Sequence, residues 1–254
     1  MFDIHNFGSG SSGNSTLVSD GTTTVLIDIG LSTSRIKKGI VQAGYKVDDI
    51  AAVLVTHLHG DHFQPKLLDT FPPNIVYGSF FIKGGPETNY TKPFNTFVIG
   101  TLKITTLMAS HDDIHVENTV GFRIENSSGE VIIYLTDTGF VPQENIPYMH
   151  NAEIYMIESN YDTMILQNES SYTQAMKDRI DGDAGHLSNH DAALAVFCVS
   201  GAKTKQVILL HISKENNRPS IAVGEFKTVF SIDQKKHHIK IDFAKHEEAT
   251  QFKW

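Results

Sequence analysis

Thr56-His57-Leu58-His59-Gly60-Asp61-His62 follows directly on the apolar run Ala51-Ala52-Val53-Leu54-Val55. The run has the length and β-branched content of a buried strand. Behind it, six consecutive positions hold three imidazoles and one carboxylate. His57 and His59 lie two apart at a strand end and so project to the same side. Gly60 lets the chain turn sharply, returning Asp61 and His62 toward the same point. A solvated, histidine-rich loop is the bland alternative. The placement behind a buried strand favours a site for two adjacent metal ions, with His57 and His59 on one and Asp61 and His62 on the other.

Around this stretch the chain alternates apolar runs with polar ends. Strands are expected over residues 2–7, 16–18, 23–28, 75–77, 152–157, 207–210 and 238–243. Hairpins are expected over 94–107 around Gly100 and over 119–135 around Gly129. Again and again a His, Asp or Glu stands where a strand runs out: Asp28, His111, Asp137, Glu158 and His211. Strands whose ends converge on one rim can build a site from distant sequence. Helices are expected from Ser32 as N-cap to about Ala43, with Gly44 as the stop, and from His62 to about Thr70. Two more are expected over 191–199 behind Ser188 and from Pro219 to about Phe230. Cys198 falls in an apolar helix and reads as core packing. Residues 161–185 are polar and weakly patterned, the end of the chain reads as a polar tail, and the irregular 83–93 stretch is either a surface loop or a flap near the site.

The chain has 254 residues, 40% of them hydrophobic and 20% charged, which is ordinary for a water-soluble domain. No apolar run approaches a membrane span, and Met1-Phe2-Asp3-Ile4-His5 lacks the basic and apolar regions of a signal peptide. Cys198 is the one cysteine, so no internal disulfide can form. A cytosolic protein is expected. The formal net charge of -8 shows no basic run for gripping long duplex DNA, so a phosphorylated substrate would be attracted by metals and a few local donors.

Of the 13 histidines, five are placed at the site: His57, His59, His62, His111 and His211. The carboxylates are Asp61 and Asp137. Asp137 is the natural bridge, because a carboxylate can bind two cations and a neutral imidazole cannot. One ion would take His57, His59, His111 and Asp137, and the other Asp61, His62, His211 and Asp137. A water or hydroxide shared by both would be acidified. Asp28 could be a further ligand; bracing the His57 loop by hydrogen bonding is the preferred role. The nitrogen and oxygen donors fit zinc, manganese or iron, and thiolate-rich structural zinc is out. The loop Gly8-Ser9-Gly10-Ser11-Ser12-Gly13-Asn14-Ser15 is a flexible hairpin or a phosphate-contacting loop on composition alone.

These residues resemble the metallo-β-lactamase superfamily. Asp28, His57-x-His59-x-Asp61-His62, His111, Asp137 and His211 carry the resemblance, in that order, over most of the chain. It implies an α/β fold of the αββα sandwich type, residues 1–254 as one domain, and metals at one edge of two packed sheets. His59 aligns the chain with hydrolytic members; the oxygen-reducing diiron branch carries Glu there. A closer resemblance is to the WalJ/YycJ-like branch of 5′-to-3′ DNA exonuclease-like proteins. Ser9-Gly10-Ser11-Ser12-Gly13-Asn14-Ser15, Gly185-His186-Leu187-Ser188-Asn189 and His211-Ile212-Ser213-Lys214-Glu215-Asn216-Asn217 carry it, with Thr136-Asp137-Thr138-Gly139 and Glu158-Ser159-Asn160 in support. Tyr161 departs from it, since the branch usually has His there.

The resemblance implies phosphodiester hydrolysis with two divalent metal ions and a bridging hydroxide. Asp61 would orient the nucleophile. His186 would hold the phosphate or protonate the leaving oxygen, and Ser11, Ser12 and Asn14 are further phosphate-contact candidates. Single-stranded DNA ends or a nucleotide are the expected partners. The alternatives are a cyclic nucleotide or other small phosphodiester on the same site, a lactam or thioester substrate, and a metal-binding regulatory protein without catalysis.

Overall fold

A computed structural model describes residues 1–80, 82, 85–111 and 119–253. Lys83 and Gly84 of the 83–93 stretch lie outside the described residues, as do Asp112 and Asp113 behind His111. The described strands are β1 (Asp3–Gly8), β2 (Ser15–Ser19), β3 (Thr24–Ile27), β4 (Ile50–Val55), β5 (Val76–Gly78), β6 (Asn89–Tyr90), β7 (Thr96–Ile99), β8 (Leu102–Met108), β9 (Val120–Glu125), β10 (Val131–Leu135), β11 (Ile154–Glu158), β12 (Gln206–Leu210), β13 (Lys240–Phe243) and β14 (Thr250–Phe252). The described α-helices are α1 (Thr33–Gln42), α2 (Ile146–Met149), α3 (Thr163–Asn168), α4 (Gln174–Asp181), α5 (Asn189–Val199) and α6 (Pro219–Phe230).

One sheet has the order β14-β1-β2-β3-β4-β5-β6 and a second the order β13-β12-β11-β10-β9-β8-β7. Both are mixed. β1, β2 and β3 pair antiparallel, whereas β3, β4 and β5 run parallel. In the second sheet β10, β11, β12 and β13 are parallel and β7–β8 is an antiparallel hairpin. Parallel neighbours need crossover connections, which α1, α5 and α6 supply. Their carboxyl ends then share one edge of the sheet, where open α/β sheets bind ligands. Asp28 and Thr56–His62 leave the adjacent parallel strands β3 and β4. Asp137, Glu158 and His211 likewise stand at the ends of β10, β11 and β12.

The chain divides into two compact units: Met1–Thr106 with Ile124–Glu130 and Ala244–Trp254, and Leu107–Arg123 with Val131–Phe243. Each has its own apolar core. In the first, Leu26, Val53 and Val55 of the sheet pack with Ile36 and Ile40 of α1. In the second, Ile133, Tyr155 and Leu209 pack with Ala192 and Val196 of α5 and Phe226 of α6.

Four details differ from the sequence reading. The expected helix from His62 to Thr70 is a 3₁₀ stretch, Pro65–Asp69. The His62 and Phe63 amides both donate to His59 O, while Ile29 N donates to His62 O and Ile29 O accepts from Gln64 N, so the chain is tied to the β3 exit until Pro65 releases it. Residues 161–185 hold two short helices, capped by Asp162 and Thr173. Cys198 is exposed, because Ala192, Val196 and Val199 take the inward face of α5. The polar tail contributes β14, which pairs with β1.

One close backbone approach positions the Thr56–His62 loop. Gly30 N donates to Asn14 O, and Asn14 N donates to Asp61 O at 2.8 Å. A Cβ on Gly30 would lie 1.7 Å from Asp61 O. Gly30→Ala is therefore expected to push the loop off β3 and lower stability by about 1–3 kcal/mol, the usual cost of overpacking. Urea unfolding measures this; an unchanged midpoint would show that the loop has room to spare.

Candidate metal centre

In the first unit the candidate donors are arranged around a buried carboxylate. Asp28, fully buried at a left-handed φ of 60°, ends β3. Its Oδ1 accepts from Thr56 N at 2.8 Å and from the Thr56 hydroxyl at 3.0 Å. Its Oδ2 accepts from His62 Nδ1 at 2.8 Å. A hydroxyl has one proton to give, so Thr56 Oγ1 accepts from His57 Nδ1, 3.0 Å away. Both imidazoles are then Nδ1–H tautomers with the lone pair on Nε2, the form that binds metals. Burial raises the Asp28 carboxyl above its ordinary range, against the pull of His62 and the Thr56 donors. The His57 ring sits 4.5 Å from that of His59 and 4.3 Å from that of His62. Asp61 Oδ2 is 3.6 Å from His62 Nε2.

The Gly/Ser loop supports the same segment. Asn14 is buried; its side-chain amide holds Gly10 and lies 2.9 Å from His62 Nε2 and 3.2 Å from Asp61 O. Ser11 and Ser12 are exposed. Of the three phosphate-contact candidates in this loop, the two serines face solvent and Asn14 faces Asp61 and His62.

The second unit gathers His111, Asp137, Glu158, His186 and His211. Asp137 and His211 take left-handed φ values of 53° and 51° at their strand ends, which reaim the side chains. Asp137 Oδ1 lies 3.8 Å from His111 Nε2, 3.7 Å from His186 Nδ1 and 3.5 Å from His211 Nδ1. His111 Nδ1 donates to Gly185 O at 2.9 Å, which turns Nε2 toward Asp137. Glu158 is fully buried. Its Oε1 is 2.7 Å from His186 Nδ1 and 3.2 Å from His211 Nδ1, and its Oε2 accepts from the amides of Thr138 and Leu187. Burial would raise Glu158, yet the charge on His186 and hydrogen bonds from His186 and His211 hold it below its usual range. Burial would lower His186, yet Glu158 and Asp137 hold it above. Asn160 donates to His211 O at 3.0 Å.

Backbone fit fixes this cluster as well. A Cβ on Gly139 would meet Asp183 O and Gly182 O at 2.3 Å, and one on Gly185 would meet Arg179 O and Ile180 O at the same distance. The turn after Asp137 and the turn before His186 therefore interlock through bare backbone.

The donors fit divalent metal ions. Asp137, Glu158, His186 and His211 offer ligand atoms within 4.8 Å of one another. Imidazole and carboxylate without thiolate is the donor chemistry of zinc, manganese or iron centres. Glu158 carried a signal in the sequence, a carboxylate at a strand end, but its contact with two histidines could not be read there. Thr56 gave no signal beyond its place before His57.

Residues 23–212 match the sequence model of the beta-lactamase superfamily domain. The chain belongs to the metallo-β-lactamase superfamily. It is 32% identical to exodeoxyribonuclease WalJ of Streptococcus pneumoniae over 228 residues, 84% of this chain and 82% of that protein. It is 28% identical to exodeoxyribonuclease YycJ of Bacillus anthracis, over 84% of this chain and 83% of the other. Among solved structures, the metallo-β-lactamase fold protein YhfI from Bacillus subtilis superposes with a TM-score of 0.70 at 17% identity, covering 99% of both chains. The α/β sandwich expected from the sequence is thus the fold of this superfamily member. The coarse chemistry its relatives support is metal-dependent hydrolysis. Among the described residues no helix is long and apolar enough to cross a membrane.

Asp28→Ala would free the His62 and Thr56 side chains to rotate. Zinc affinity, read by competition with a chromophoric chelator, is expected to fall about 10–100-fold, the usual cost of losing such a partner. Unaltered affinity would mean that the imidazoles need no bracing.

Proposed function

We propose that the chain is a phosphodiesterase of the 5′-to-3′ DNA exonuclease type, working in the cytosol as a single catalytic domain. His57, His59, His111 and Asp137 would hold one divalent ion, and Asp61, His62, His211 and Asp137 the other. The donor types support zinc or manganese, with iron also compatible. When bound, such ions supply positive charge for the phosphoryl oxygens and an acidified water.

The observation that carries the reading is the Glu158–His186 pair. Hydrolysis of a phosphodiester needs a proton for the leaving oxygen and a cation for the developing charge. Glu158 fixes the His186 ring through Nδ1 at 2.7 Å and favours its protonated form, so Nε2–H can serve either need. Asp61, partly exposed, is suited to orient the attacking water. Ser11 and Ser12, at the exposed tip of their loop, are the substrate-side phosphate contacts, whereas Asn14 supports Asp61 and His62 from within. The names of the relatives from Streptococcus pneumoniae and Bacillus anthracis support DNA as the polymer. The lone Cys198 suits a reducing compartment.

A cyclic nucleotide or other small phosphodiester is the second reading, favoured by the net charge of -8. Turnover of 5′-phosphorylated single-stranded DNA, bis-p-nitrophenyl phosphate and cyclic nucleotides separates the two. The first reading predicts the highest kcat/KM on DNA; a cyclic nucleotide in first place would replace it.

His59→Ala is expected to abolish metal-dependent cleavage with the circular-dichroism spectrum intact; normal turnover would refute the ligand assignment. His186→Ala is expected to keep its metal and lose about 10²–10⁴ in kcat, the usual worth of a general acid. Loss of metal in that variant would make His186 a ligand instead.

A further inference from the structure

Between β1 and β2 the chain makes a tight turn. Gly13 N donates to Gly10 O at 2.8 Å, which leaves Ser11 and Ser12 as the exposed central residues. The place of these two hydroxyls is therefore set by whatever holds the two legs of the turn. The Asn14 leg is bonded to Asp61 O. The other leg meets Arg35, in the first turn of α1. We infer that Arg35 is a positioning residue for the substrate: by clamping the end of β1 to residues 245–246, it aims Ser11 and Ser12 at the phosphate they bind. The inference rests on the phosphodiesterase reading, in which those serines touch phosphate, and names what gives them their place.

Three observations carry it. The first is the clamp itself. Arg35 Nη2 donates to Phe7 O at 2.7 Å and to His246 O at 2.8 Å. A terminal guanidinium nitrogen carries two N–H groups, so one atom can serve both carbonyls. The group stays charged at any working pH, and hydrogen bonds from a charged donor are the stronger kind.

The second is the closeness of fit. A Cβ on Gly8 would stand 2.6 Å from Arg35 Nη2 and 2.9 Å from His246 O. One on Gly10, at a φ of 134°, would stand 2.5 Å from His246 Nδ1. Between them, Ser9 N donates to Lys245 O at 3.1 Å. The leg Gly8-Ser9-Gly10 is buried and lies with bare backbone along residues 245–246, and Arg35 closes one end of that contact.

The third is the way the turn passes this restraint on. Gly10 N donates to Asn14 Oδ1 at 2.8 Å, and Asn14 Nδ2 donates to Gly10 O at 3.2 Å. With Gly10 and Asn14 both held, the residues between them have little freedom left. Arg35 acts on the Gly10 leg alone. The bond from Asn14 to Asp61 and the bracing of His57 and His62 by Asp28 do not pass through it. Placing substrate and holding metal are thus separable, and loss of Arg35 weakens the first while sparing the second.

The test compares zinc-loaded wild type with Arg35→Ala, Arg35→Lys and Gly8→Ala. Binding of a 5′-phosphorylated, cleavage-resistant phosphorothioate single-stranded DNA is read by fluorescence anisotropy, zinc affinity by a chromophoric chelator, and amide hydrogen exchange by NMR. Arg35→Ala is expected to raise Kd about tenfold, as for two lost hydrogen bonds, and to speed exchange at Ser9 and Gly10. Zinc affinity and exchange at Asp28 and Thr56 should stay as in wild type. Gly8→Ala, which crowds the guanidinium, should act like Arg35→Ala, and Arg35→Lys should lose only part of the affinity. Replacing Ser11 and Ser12 together by Ala should weaken binding by a similar factor in wild type and add little in Arg35→Ala, a coupling that a merely structural arginine would not show. Wild-type Kd in folded Arg35→Ala overturns the inference, as does an undiminished serine effect in that background or a wild type that does not bind this DNA. Should Arg35→Ala fail to fold, the same comparisons are read on Arg35→Lys and Gly8→Ala, and wild-type Kd in both overturns it. If neither unmodified DNA nor bis-p-nitrophenyl phosphate is hydrolysed, the phosphodiesterase reading fails, while the Kd and exchange data still decide the role of Arg35.

Discussion

A hydrogen bond from an imidazole Nδ1 to a buried carboxylate is the interaction on which the candidate centre depends. It occurs in both units. Asp28 holds His62 directly and His57 through the Thr56 hydroxyl, and Glu158 holds His186 and His211. In each case the bond fixes the ring plane and points Nε2 away from the carboxylate, and for His57 and His62 it also selects the tautomer. A histidine at the end of a strand could otherwise turn about two side-chain bonds, and its donor atom would sweep a wide arc. Burial makes the restraint strong. A carboxylate cut off from water must keep its hydrogen-bond partners, because leaving it unpaired costs several kcal/mol by order of magnitude.

The backbone carries part of the cost of this arrangement. Asp28, Asp137 and His211 all adopt left-handed φ values where their strands end. Each such residue is strained by about 1–3 kcal/mol, and such strain persists only where surrounding bonds over-determine it. Those bonds are present: Asp28 N donates to Leu54 O, Thr138 N to Glu158, and Asn160 to His211 O. Glycines complete the restraint where two backbones meet. Gly30 admits Asp61 O, and Gly139 and Gly185 admit the carbonyls at the end of α4 and in the turn behind it.

Much of this was legible in the sequence, and what was not has physical reasons. The buried strands show as short β-branched runs, because both faces of a parallel sheet are covered and composition alone marks them. The donor types at their ends stand out for the same reason: charged or imidazole groups are costly next to a core. Capping chemistry at Ser32 and Ser188 marks two helix starts. By contrast, α3 and α4 are short and polar, with little apolar periodicity to read. The His62 segment looked helical because its fastening to Ile29 comes from a residue more than thirty positions away in sequence. Glu158 was visible as a strand-end carboxylate, but which histidines it serves is a property of the parallel register of β10, β11 and β12. Cys198 shows the limit of reading an apolar helix without its partner surface: α5 is apolar enough that no face declares itself.

In the proposed function Asp137 would be the ligand shared by two ions. Diffraction from crystals of zinc- or manganese-loaded protein, recorded at the metal absorption edge, tests this most directly. The account predicts two anomalous peaks, both at about 2.0–2.2 Å from an Asp137 carboxylate oxygen. A single peak remote from Asp137, or none in fully loaded crystals, would contradict it.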